Sequence, residues 1–364
     1  MMANYFSLLL FIFFSLSGNA QERDYVSYHQ NINKAEHVIF VDNKPVEGLH
    51  LFKSTLTRYD FVFVDDCIEA FQIALFYKKD DDALFFIKKA LANGFELRLL
   101  DKLSMGCPCN YYKDDKVRVT IYEPFVAKYR QELEKYADAC YPAYLKRINK
   151  EVLTNLMKRH VREQLFKDYR KGLSNSIETQ SKEYYNVCDD NLRYMDSLAQ
   201  RKIFIGEQNV GIYTDKLAKS INLPEGSIEQ YLKRVLKFYG LPTDTYVPIQ
   251  TEDSYFEIGF VYNMLFHNIK SYTVLSPYKN EAIKKGYLHP REYACLQLNN
   301  AKAKNTASIQ LYLKPTTQMI SDLARVDSMR QAQLLPDFET DFAKHQFAHA
   351  HNLQLSFGQF NDSR

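Results

Sequence analysis

The chain of 364 residues carries 47 Lys and Arg against 44 Asp and Glu, a net charge of +3, so no global field steers it toward nucleic acid or an anionic surface. Apolar residues make up 46 %, enough for a real core, and abundant Tyr and Phe beside only 12 Gly and 11 Pro favour a mainly α chain over a loop-rich one. The length admits two domains at roughly 100–200 residues each.

Residues 1–20, MMANYFSLLLFIFFSLSGNA, contain no charged side chain and read apolar from Phe6 to Leu16. That run is shorter than the roughly 20 residues a bilayer span needs. It fits a signal peptide, with Gly18 and Ala20 as the small residues ahead of a polar Gln21. Cleavage after Ala20 predicts an exported product, periplasmic or secreted, with no membrane span once the leader is gone. Six cysteines in such a chain invite a disulfide reading. Cys67 and Cys295 lie inside apolar helical patterns that suit buried thiols. Cys107, Cys109, Cys140 and Cys188 fall in turn or helix-end settings, where at least one bridge is expected.

Residues 21–60 read as an irregular or extended entry, with a β-like run HVIFV at 37–41. From Asp65 the pattern turns helical. Ile68, Phe71, Ala74 and Leu75 precede a polar turn KKDDD; Ala83, Leu84, Ile87, Ala90 and Leu91 follow at helical spacing, with Asn93-Gly94 as a stop. These two short helices, at about 65–95, resemble a tetratricopeptide-type hairpin in the small and large positions Ala83, Ile87 and Ala90. Such hairpins need neighbours to bury their faces, and no second copy at that repeat's period is visible.

VRVTIYEP, 117–124, alternates like a strand. Pro124 then opens a helix that breaks at Cys140-Tyr141-Pro142. A longer helix follows over 143–171, striped by Leu145, Ile148, Val152 and Leu156; between 146 and 171 it carries nine basic residues against three acidic ones. In an exported chain that charge reads as a solvated face, not a nucleic-acid site. GLSNSIETQS, 172–181, is the linker candidate. It separates an N-terminal region, 21–171, from a C-terminal helical domain, 182–364.

In that second half DDNLRYMDSL, YLKRVLKFYGLPT (231–243), FVYNMLFHNI (260–269), LHPREYACLQLNNAK (288–302) and LARVDSMRQAQLLP (323–336) occur in order. From roughly Asp189 to Pro336 this order resembles a widespread family of bacterial domains of unknown function, often found in exported proteins behind tetratricopeptide-like segments. The resemblance implies a helical domain with a polar set around the histidine that ends its apolar helix, and it names no activity. Here the family's Gln-His-Ala-Asp is Phe266-His267-Asn268, without the acidic partner, and Asn299-Asn300 replaces its Asp-Arg. His267 therefore reads either as a core or helix-end histidine or as a ligand-binding residue, with Tyr293 of the Pro-x-x-Tyr-Ala segment as its companion.

The C-terminal stretch KHQFAHAHN, 344–352, sets three histidines within seven positions. At 100° per residue Asp341, His345 and His349 share one ridge while His351 points away. A zinc site needs a third and usually a fourth ligand, and Gln346, Phe347 and Ala348 leave no general base between the histidines. Asp341, His345 and His349 are thus weak metal candidates at most; the expectation is an amphipathic helix with an Asp341–His345 ion pair and no cofactor. No nucleophile elbow, P-loop or Gly-rich cofactor turn is present. The reading is a non-enzymatic exported interaction or binding module for a protein or peptide partner in the cell envelope. The alternative is a hydrolase-type enzyme with its site around His267 and Tyr293.

Overall fold

The computed structural model describes residues 24–100, 121–173, 177–212, 215–220, 259–303 and 323–351, with the single positions 233, 237, 353 and 355. Among these residues the fold is mainly α and no strand forms. The leader at 1–20, Cys107, Cys109 and most of the 231–243 motif lie outside them.

The entry segment is helical, contrary to the extended reading. Helix α1, Tyr25–Phe40, starts at Asp24, whose side chain accepts the Val26 N–H at 2.9 Å. It buries Tyr28, Ile32, Ala35 and Ile39 at helical spacing, but also His29 and Glu36, and those two polar positions interrupt the stripe in the sequence. Helix α2, Pro45–Arg58, opens on proline and returns along α1, with Gly48 set so close to Ala35 and Ile39 that a Cβ would strike them.

Helices α3, Val64–Phe76, and α4, Asp80–Ala92, form the expected hairpin, and Gly94 ends it at φ 101°. The α1–α2 pair packs beside it, so the neighbour such a hairpin requires is the preceding one. Ile121 and Tyr122 lead helically into α5, Glu123–Arg147, which packs on α4 and runs on through Pro142. The break expected at Pro142 falls at Ile148-Asn149, where the Asn149 side chain accepts the Val152 N–H at 3.1 Å and starts α6, Lys150–Leu173. Helix α7, Ile177–Gln200, covers the second half of the linker candidate and packs along α6. Arg159 of the basic face pairs with Asp190 at 2.8 Å and stacks 4.3 Å from the Tyr194 ring, so part of that face is packed against α7.

Short helices α8, Glu207–Val210, and α9, Asp215–Ser220, precede α10, Gly259–Phe266. Then come α11, Ser271–Leu275, a 3₁₀ turn at Ser276–Tyr278, α12, Lys279–Lys284, α13, Pro290–Ala303, α14, Leu323–Gln331, and α15, Phe338–His351. Two cores result. One gathers α1 to α4 and the first half of α5; the other gathers the end of α5 with α6, α7, α10 and α13. The division lies inside α5, between Leu133 and Tyr144. Ala348, Leu353 and Leu355 join the first core, so the C-terminal helix docks on the N-terminal hairpins. Cys67, Cys140, Cys188 and Cys295 are free thiols.

Candidate binding pocket and its polar surroundings

Helix α10 presents two faces. At 100° per residue Val261, Tyr262 and Leu265 share one arc and Met264 lies on another. The first arc walls a shallow, open-mouthed pocket, about 570 Å³ when the solvent at its mouth is counted. Met195 and Ala199 of α7, Ala282 of α12 and Leu296 of α13 line its other sides, and Ile203–Ile205 and Leu288 complete them. The 203–205 wall is held by Gly206, whose missing side chain lets the backbone lie against the Tyr287 carbonyl.

Few polar groups reach this pocket. Lys279 is half-buried at its edge, with Nζ 5.1 Å from the centre of the Tyr293 ring. Burial holds its ammonium below the ordinary lysine value, and no carboxylate among the described residues forms an ion pair with it. Tyr293 is 2 % exposed, its ring 5.2 Å from that of Tyr272. Its hydroxyl lies near Ser276 and Tyr272 but has no hydrogen-bond partner of good geometry, and burial pushes the phenol up.

A second, smaller cavity is lined by Phe63, Asp65, Glu207, Tyr262, His289 and Glu292, among others. Its polar groups serve the fold. Glu207 accepts the Val64 N–H at 2.9 Å, and burial, reinforced by Asp65 and Asp66, holds its carboxyl well above the usual range. His289 Nδ1 accepts the Arg291 N–H at 3.2 Å while Nε2 faces Asp66 at 3.4 Å, and Tyr28 donates to the same carboxylate at 2.7 Å.

His267 stands just past α10, away from the apolar pocket. The acidic partner that the sequence reading found missing is supplied by Glu163 of α6, whose Oε1 lies 2.6 Å from His267 Nδ1. Lys167 Nζ donates to Nε2 at 3.2 Å, which places the ring proton on Nδ1, facing Glu163. Asn191 donates to the other Glu163 oxygen at 2.6 Å. Asp189 accepts from Asn268 at 2.8 Å. Nearby, burial and then Glu163 push the Cys188 thiol up to about 12, opposite to what a nucleophilic cysteine needs. Burial, with His267 and Lys167 adding to it, pushes His160 down to about 3. His267 and Tyr293 thus occupy different surroundings: a charged cluster on α6 and α7, and the edge of an apolar pocket.

The C-terminal ridge is divided as well. Asp341 is buried and its carboxylate is gripped by Arg291 Nη1 at 3.0 Å and by Arg330, in place of the expected pairing with His345. Arg291 also reaches Glu36 at 2.7 Å, and Lys344, fully enclosed, bonds Glu36 at 2.8 Å and Glu69 at 2.6 Å. Three cations and three carboxyl groups from α1, α3, α13, α14 and α15 therefore interlock. Burial disfavours ionised Asp341, but Arg291 and Arg330 overcome it and hold the carboxyl below the usual range. His345 is half-buried, His349 is exposed, and the His351 ring lies tilted against that of Phe76, 4.4 Å between centres. Among the described residues no group of three or more His, Cys, Asp or Glu is arranged to hold a metal ion, and no described helix is long and apolar enough to cross a membrane.

The chain matches no family model, no curated protein and no solved structure.

Proposed function

We propose that the chain is an exported, non-enzymatic binding module whose site is the apolar pocket between α7, α10, α12 and α13. The observation that carries this reading is the lining of the pocket, whose walls are predominantly apolar. Burying a matching apolar surface there contributes about 25 cal/mol per Å². A hydrolase needs polar groups converging on one reacting atom. Here the neighbouring candidates are committed to each other: His267 to Glu163 and Lys167, and His289 to Asp66 and the Arg291 N–H.

The test is native mass spectrometry of the full protein purified from the envelope fraction of its source. A co-purifying apolar small molecule, lost in Ala282→Phe, is expected; Ala282 lines the pocket and a phenyl group would fill it. The same preparation tests export, since the mature chain should begin at Gln21, and it tests for a protein or peptide partner by what remains bound. An unoccupied wild-type protein whose ligand binding is indifferent to Ala282→Phe would refute the pocket reading.

A further inference from the structure

The apolar pocket has an asymmetric edge. Lys279 brings an ammonium over the Tyr293 ring, 5.1 Å from its centre. Other lysines close by are paired: Lys202 with Glu281, and Lys285 with Glu281 at 3.1 Å. Lys279 is thus a half-desolvated cation at the pocket edge without a counter-ion among the described residues. A cation that gives up water without gaining an anion costs free energy, and a bound anion would offset that cost.

Resting on the pocket reading above, we propose that the ligand is an aliphatic monocarboxylate, its chain among Leu265, Ala282 and Leu296 and its carboxylate on Lys279. A carboxylate accepts from the ammonium and answers its charge, whereas an alcohol carries no charge to do so. An extended peptide fits less well. Its backbone N–H and C=O groups would lie against apolar walls that offer them few partners, while an alkyl chain brings none.

The experiment compares octanoate, octan-1-ol and octylammonium by isothermal titration on the mature full-length protein, with Lys279→Met and Lys279→Arg as variants. Octanoate is expected to bind about tenfold more tightly than octan-1-ol, the size of one charge-assisted contact at a half-buried site. Lys279→Met should erase that preference through a loss of octanoate affinity, and Lys279→Arg should retain most of it. Equal binding of octanoate and octan-1-ol, or tighter binding of octylammonium, overturns the carboxylate assignment and leaves the pocket reading standing. Binding of none of the three overturns both. A preference for octanoate that survives in Lys279→Met overturns the role given to Lys279.

Discussion

Glu69 offers a sharp test of the buried charge network, because its carboxyl and the pH of measurement can be played against each other. It is 2 % exposed on α3, with Oε2 2.6 Å from Lys344 Nζ. Burial pushes its pKa up to about 8 from an ordinary 4.5, with Lys344 opposing the rise and Glu36 assisting it. Between those two values the folded protein keeps a proton that the unfolded chain has released. The stability this proton confers is full below about pH 4.5 and is lost as pH rises through about 8. At about 1.4 kcal/mol per unit, the loss is on the order of 5 kcal/mol. Glu69→Gln imitates the protonated acid and has no proton to release. Urea unfolding of both proteins from pH 5 to 8.5 gives a difference curve from which the groups common to both largely cancel. The wild type should lose ground to the variant steadily as pH rises. A difference independent of pH, or a variant that falls behind as pH rises, would show Glu69 ionised and paired with Lys344, and the reasoning would fail.

On α15 two kinds of substitution should part company. Asp341→Asn leaves two enclosed guanidinium groups short of a carboxylate and should cost roughly 3–5 kcal/mol in denaturant unfolding, whereas His345→Ala with His349→Ala should cost about 0.5 kcal/mol or less. EDTA should leave the melting temperature of the wild type unchanged; a chelator-induced drop that vanishes in the double-alanine variant would make the ridge a metal site. His160, pushed down to about 3 from 6.5 by burial first and then by His267 and Lys167, stays neutral in the fold while the unfolded chain takes up a proton. Stability should therefore decline as pH falls below 6.5, and His160→Leu should show a shallower decline over that window. Gly206→Ala forces a Cβ into the Tyr287 carbonyl. It should cost about 1–3 kcal/mol and weaken octanoate binding, both read from unfolding and titration of the same variant.

The parts of the fold legible in the sequence are those whose buried faces are apolar throughout. Ile68, Phe71 and Leu75, then Ala83, Ile87 and Ala90, are all buried where helical spacing puts them, and Gly94 stops α4 in a backbone conformation that favours glycine. α1 was hidden because its buried face carries His29 and Glu36. Glu36 is tolerated there only because Arg291 and Lys344 arrive from far along the chain, and hydrophobic periodicity contains no trace of partners at such separation. Pro142 misleads in the opposite sense. A proline inside a helix costs one backbone hydrogen bond, but the turn beyond it is fastened by Tyr144, whose buried hydroxyl accepts the Ile212 N–H at 3.0 Å. The helix therefore continues to Arg147, and Asn149, three residues before the buried Val152, is the cap signal that starts the next one.

The candidate pocket was less legible, since a cavity belongs to packing and not to a motif. Tyr293 stood out through its surroundings in the sequence, while Lys279, in the polar run SPYKNEAIKK, carried nothing to distinguish it from other surface lysines. Its significance comes from what is absent around it, and only the arrangement of α7, α10 and α13 reveals that. Glu163 is different, because a signal existed. Val152, Leu156, His160, Glu163 and Lys167 continue one stripe at spacings of three and four, so the acid sits on the face that Leu156 and His160 bury. An ionisable residue in a buried stripe demands a partner. A lone histidine ending an apolar helix elsewhere in the chain makes the complementary demand, and the 2.6 Å contact between Glu163 and His267 meets both.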